Sequence, residues 1–137
     1  MANAVTVSRF VRGGKIGDND QAARVISNVI DFALLNVDAN AVVGALKLDA
    51  GTVVLTCGVK VLTAEGGAVT ADVGDTTTAN VYLATVDLNN TATDVGDALA
   101  APVYYKAKDH ITVKVSAACD HAKIYVWALV ANIHGNS

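Results

Sequence analysis

Asp72-Val73-Gly74-Asp75 recurs as Asp94-Val95-Gly96-Asp97, so one spacing of paired carboxylates occurs twice in the chain. Loop carboxylates bind calcium when several oxygens converge on one point. Neither copy has the alternating acids of a dedicated calcium loop, and the other reading of each is a pair of turn aspartates facing water. The chain also has two cysteines, Cys57 and Cys119, and three histidines, His110, His121 and His134. Cys119, His121 and a second histidine match no common zinc spacing. Both cysteines fall in or beside strand-like runs, where a thiol acts as a small hydrophobe. A reducing cytosol disfavours a disulfide between them.

Catalysis has less to work with. No Ser or Cys stands in a nucleophile setting with a histidine, and there is no GxSxG, no HExxH and no phosphate-cradling glycine loop. Glu65 is the only glutamate and sits in an expected hairpin tip. Two aspartates would serve for glycoside cleavage, but nothing in the sequence selects them. Accordingly no catalytic, cofactor-binding or metal-ligating residue is assigned, and the chain reads as non-enzymatic. Trp127 with Tyr82, Tyr104, Tyr105 and Tyr125 offers either a sugar-stacking platform or core. Tyr125 and Trp127 are two apart and share one face of a strand. Because the segment around them is apolar on both faces, core packing is the expectation, with its second face meeting another subunit. Asn89-Asn90-Thr91 is a glycosylation sequon, read as coincidental without a secretory signal.

The elements that must carry these residues are strands. The chain has 137 residues, one domain's worth, 53% of them hydrophobic, with a mean hydropathy of +0.40. The apolar residues are mostly Val and Ala, and no run approaches a membrane span. The first twenty residues lack the apolar core of a signal peptide, so synthesis in the cytosol is expected. Residues 1–24 carry four cations against two acids, residues 25–105 two cations against nine acids, and residues 106–137 four against two. All three arginines lie before residue 25. A weakly basic leader thus precedes an acidic body, which suggests an acidic partner surface for the leader. Two excess charges are too few to track phosphates, which argues against nucleic acid.

Residues 1–24 read as an arm with one short alternation, Val5 and Val7, followed by the joint Gly13-Gly14 and Gly17. Val25–Asn36 fits a helix by period and a strand by its Val, Ile and Phe content. Ala41–Leu48 and Thr52–Ala64 read as strands, with a bulge or bend expected at Gly58. TCGVKVLTAEGGAVTADVGD alternates on both sides of Glu65-Gly66-Gly67 and predicts a hairpin. Asn80–Leu88 follows as a strand, and Asn89–Asp97 as a long polar loop. Three more strands are centred on Tyr104, on His110–Ala117 and on Ala122–Ile133, with the only proline, Pro102, at the start of its run. Eight or nine short strands and no segment that reads only as a helix predict an all-β, antiparallel two-sheet sandwich, most simply a jelly roll over residues 25–137, preceded by an extended arm.

KLDAGTVVLTCGVKVLTAEGG, AVTADVGD and ITVKVSAACDHAKIYVWALVANI together resemble small structural proteins of tailed bacteriophages. The likeness covers residues 25–133 and is one of style and strand order. Those proteins are jelly-roll or related sandwiches that decorate the capsid as cement or head-fibre subunits, commonly as trimers. The resemblance implies a virion protein made in the host cytoplasm, with the major capsid protein as partner, no nucleic acid and no membrane. It implies that the basic leader anchors on an acidic shell and that a homotrimer buries the two-faced strands. It carries over no functional residue. The rival is a carbohydrate- or receptor-binding module of a fibre or tail, built on Asn89–Asp97, the acidic loops and an exposed aromatic.

Overall fold

The computed structural model of the chain describes residues 23–133, and only the backbone at 97–101. Within them run eight strands: β1 (Arg24–Asp31), β2 (Val42–Leu48), β3 (Thr52–Thr63), β4 (Thr70–Gly74), β5 (Leu83–Asp87), β6 (Asp94–Tyr105), β7 (Asp109–Val115) and β8 (Lys123–Asn132). One short helix, α1 (Phe32–Leu35), follows β1 directly. All pairings are antiparallel, in two four-stranded sheets ordered β1-β8-β3-β6 and β2-β7-β4-β5.

Successive strands change sheet at every link except β4–β5 and so wind the two interlocked Greek keys of a jelly roll. The expected sandwich stands, but the expected hairpin does not: β3 and β4 lie in different sheets, and the Glu-Gly-Gly loop crosses between them. Alternation around a glycine loop fixes which faces are buried, and a hairpin and an inter-sheet corner satisfy that requirement equally well. The helix-or-strand ambiguity over Val25–Asn36 resolves as both. Asp31 Oδ1 accepts from the Ala33 N–H at 3.0 Å and caps one helical turn, which ends at Asn36 with φ 49°.

The alternation of side chains along the strands builds the core. In β8, Ile124, Val126, Ala128 and Val130 are fully buried, while Tyr125, Trp127 and Leu129 between them are half-buried on the outer face. Val54, Cys57, Val59 and Val61 of β3 line the same layer, against Ile111, Val113 and Val115 of β7 and Ala71 and Val73 of β4. Cys57 and Cys119 are both buried in this core and not disulfide-bonded. β5 is shorter than the Asn80–Leu88 run, and β6 begins at Asp94, inside the expected polar loop.

Gly58 produces neither bulge nor bend. The register shifts of β3 fall at Val54/Thr56 and Val61/Thr63, and Gly58 itself pairs with both Gly96 and Trp127. A Cβ on Gly58 would stand 2.3 Å from Trp127 Cζ2, and one on Gly96 would stand 3.2 Å from the same atom. The two glycines are the seat of the indole ring.

Candidate functional site

Loop chemistry gathers at the two ends of the sandwich. At one end, residues 64–69 carry Glu65 between the sheets. Its carboxylate is almost fully buried and accepts from four donors of the β7–β8 loop. Oε1 receives the N–H groups of His121 at 2.9 Å and Ala122 at 2.8 Å and the Cys119 thiol at 3.1 Å, and Oε2 receives the Asp120 N–H at 3.0 Å. The Glu65 loop is itself tied to the β5–β6 loop, through Glu65 N–H to the Leu88 carbonyl at 3.1 Å and Gly66 N–H to Asn89 Oδ1 at 2.7 Å. Three loops are thereby pinned around one buried charge.

Burial pushes the Glu65 carboxyl up, but the donors from Asp120, Cys119, His121 and Ala122 outweigh it and bring its pKa down to about 2. The same contact, with burial first, pushes the Cys119 thiol up to about 12, so it remains protonated and donates. His121 is exposed, and its Nδ1 lies 2.6 Å from Asp120 Oδ1, which raises its pKa. Glu65, Asp120 and His121 offer ligand atoms within 4.8 Å of one another. Their geometry nonetheless serves the carboxylate rather than a cation, because N–H and S–H dipoles already point at its oxygens.

At the other end Tyr105 of β6 donates its hydroxyl to Asp75 Oδ2 at 2.8 Å, and the Tyr82 hydroxyl bonds to that of Tyr105. The relay joins the two sheets, since Tyr105 belongs to one and Asp75 and Tyr82 flank strands of the other. Burial raises both tyrosine pKa values, for Tyr105 with help from the Tyr82 and Asp75 bonds. Asp75 Oδ1 also accepts from Thr77 and Thr78 N–H at 2.9 and 2.8 Å, and Asp109 Oδ1 accepts from the Thr76 hydroxyl at 2.8 Å.

The two aspartate pairs do not meet. Asp72 lies mid-strand in β4, where its Oδ1 accepts from Thr85 N–H at 2.9 Å, and Asp75 follows the end of that strand. Asp94 and Asp97 lie in β6 of the other sheet, and Asp94 pairs with Lys60 at 3.5 Å. His110 is in β7 and His134 lies outside the described residues, so no second histidine is placed beside Cys119 and His121 among them. The aromatics divide three ways: Tyr82 and Tyr105 are buried, Tyr104 is exposed, and Tyr125 and Trp127 sit on the outer face of β8 rather than in the core. The sheet pairing explains that last correction. Ile124, Val126 and Ala128 already fill the inner face, so the alternate residues must point away.

What remains outward is a surface. Across the β1-β8-β3-β6 sheet, Val25 and Leu129 share one row, Ser27, Trp127, Gly58 and Gly96 the next, and Val29, Tyr125, Lys60 and Asp94 the third. Sequence reasoning missed Glu65 as the loop anchor. A lone glutamate beside two glycines gives no sign of the donors waiting in another loop. Its singularity in a chain with twelve aspartates was the one available signal.

No family model and no curated protein matches the sequence. The fold does have counterparts among solved structures. A chain of the acidic stable capsid structure of Helicobacter pylori bacteriophage KHP30 superposes with a TM-score of 0.61 at 18% identity, over 81% of this chain and 88% of that one. A chain of the cyanophage Pam1 capsid asymmetric unit gives a TM-score of 0.68 at 12% identity, over 85% of this chain and 89% of that one. At these identities the likeness is one of fold.

Proposed function

We propose that this protein is a non-enzymatic structural subunit of a tailed-phage virion, which binds the outer capsid shell and stabilises it as a decoration or cement protein. The observation that carries this reading is the fold shared with two phage capsid chains over more than four-fifths of each. It is an argument by fold analogy. The site chemistry is consistent with it: Glu65, Cys119, Asp75, Tyr82 and Tyr105 bond to one another or to nearby backbone, which stiffens the loops. The partner is the major capsid protein, the assembly state is a homotrimer, and the location is the capsid surface after synthesis in the host cytoplasm. This reading takes neither nucleic acid nor membrane as a partner. A protein that binds only the assembled shell stabilises it by mass action.

The second reading, a carbohydrate- or receptor-binding module of a fibre or tail, draws on Tyr125 and Trp127 side by side on the outer sheet face. Quantitative mass spectrometry of purified particles of the source virus separates the two. A copy number in proportion to the shell's subunits is expected. A copy number matching a tail or fibre tip would transfer the protein to the second reading, and absence from the particle would remove both.

A further inference from the structure

The four edge strands of the two sheets are not alike. β6 contains Pro102 and a register shift opposite Val54/Thr56. β5 is five residues long, with Thr85 at φ 52°. β2 shifts register between Gly44 and Leu46 and exposes Lys47. Each feature is a device that discourages further strand pairing. β1 has none of them. It follows β8 in unbroken register from Arg24 to Asp31, contains no Pro, Gly or Lys, and carries charge only at its two ends. Val25 and Val29 are 61% and 48% exposed, and beside the strand runs a groove of about 340 Å³ whose lining includes Val29, Leu34, Leu35 and Val43. An unguarded apolar edge of this length is a template for another strand.

We propose that residues Val7–Val11 of the same chain add to the β1 edge as an antiparallel strand. The described residues begin at Ala23, one position before β1, so the twenty-two residues ahead of it depart from the rim of this edge. The two sequences match face by face. With Val11 opposite Val25, Arg9 falls opposite Ser27 and Val7 opposite Val29; on the other face Phe10 meets Ile26 and Ser8 meets Asn28. Apolar meets apolar and polar meets polar at each position from Val7 to Val11, and the match stops there, where Thr6 would face Ile30 and Val5 would face Asp31. A one-residue slip in either direction sets Arg9 against Ile26 or Phe10 against Ser27. Residues 12–24 contain Gly13, Gly14 and Gly17 and have the length to reverse the chain. Charge agrees: the leader has a net positive charge and the body that follows is strongly acidic. Arg9 in mid-strand supplies the guard that β1 lacks. The tether holds the segment near the edge at an effective concentration on the order of millimolar. The acidic partner surface that the leader's charge calls for is then the chain's own body, whatever larger structure the body decorates.

The test is cysteine cross-linking in the full chain. Arg9→Cys with Ser27→Cys, oxidised mildly in dilute solution, is expected to give an intrachain link by peptide mapping, and the out-of-register pair Ser8→Cys with Ser27→Cys several-fold less. Cys57 and Cys119 are buried and serve as internal controls. In the wild-type background, Val7→Asp is expected to speed amide exchange along Val25–Val29 by roughly tenfold or more. An interchain 9–27 link would mean that the segment docks on a second copy and would overturn the intrachain assignment. No link at all, with β1 exchange unmoved by Val7→Asp, would overturn it too and leave the edge to another protein.

Discussion

The single buried carboxylate among the described residues does its work through backbone groups. Glu65 stands where the β7–β8 loop presents the N–H groups of Asp120, His121 and Ala122, which have no strand partner to take them. Its folded pKa is lowered to about 2 from an ordinary 4.5, so the stabilisation it gives is complete above pH 4.5 and is lost as pH falls through about 2. The linked free energy is about 3 kcal/mol at most. Glu65→Gln is expected to lower stability in urea denaturation at pH 7 by roughly 1–3 kcal/mol and to flatten the pH dependence between pH 5 and 2. An unchanged acid profile would show that the carboxylate is not the group being titrated. Tyr105→Phe tests the other end. It removes the hydroxyl that joins Tyr82 to Asp75, and leaving the buried Tyr82 hydroxyl without that partner is expected to cost about 1–3 kcal/mol, read from the same denaturation curves.

At the level of elements, the β8–β3–β6 face shows how a sheet accommodates a large ring. Two glycines on adjacent strands leave a flat seat, and Trp127 covers it. Gly58→Ala would place its Cβ 2.3 Å from Cζ2, so the indole must move. We expect a loss of roughly 1–3 kcal/mol and a red shift in Trp127 emission as the ring lifts toward water. Trp127 is the only tryptophan, so fluorescence reports this one site. Gly74 is tighter in a different way. A Cβ there would lie 2.1 Å from the Thr78 carbonyl oxygen, and backbone gives way less readily than a ring, so Gly74→Ala is expected to destabilise more than Gly58→Ala.

For the whole molecule, the hydrogen-bonded loops at both ends and the jelly-roll topology leave sheet faces and edges as the surface presented to the surroundings. Decoration of a shell then needs no moving part. Protein added to shells lacking it is expected to bind saturably and to raise the shell's melting temperature in step with occupancy. Light scattering of the free protein is expected to give three times the chain mass. A monomer that nonetheless stabilises shells would retain the decoration reading and discard the trimer, whereas saturating occupancy with no change in shell melting would remove the cement role.

The sequence by itself determined the class and the layers of this protein. Strict alternation in HITVKVSA placed Ile111, Val113 and Val115 on the buried face, because strand side chains take opposite faces in turn, whereas AKIYVWALV is apolar on both faces and left its inner face undecided. It also determined that the reactive residues are too few and too scattered for a recognisable active-site motif. Partner choice was decided only in three dimensions. Whether β3 turns back on β4 or crosses to the other sheet, whether Gly58 bends a strand or seats a ring, and whether Glu65 faces water or three backbone donors each depend on residues far away in the chain. Local pattern records burial, and burial is satisfied by many partners. The long-range packing of β8 between β1 and β3, and of β7 between β2 and β4, selects one arrangement and with it the anchors at both ends.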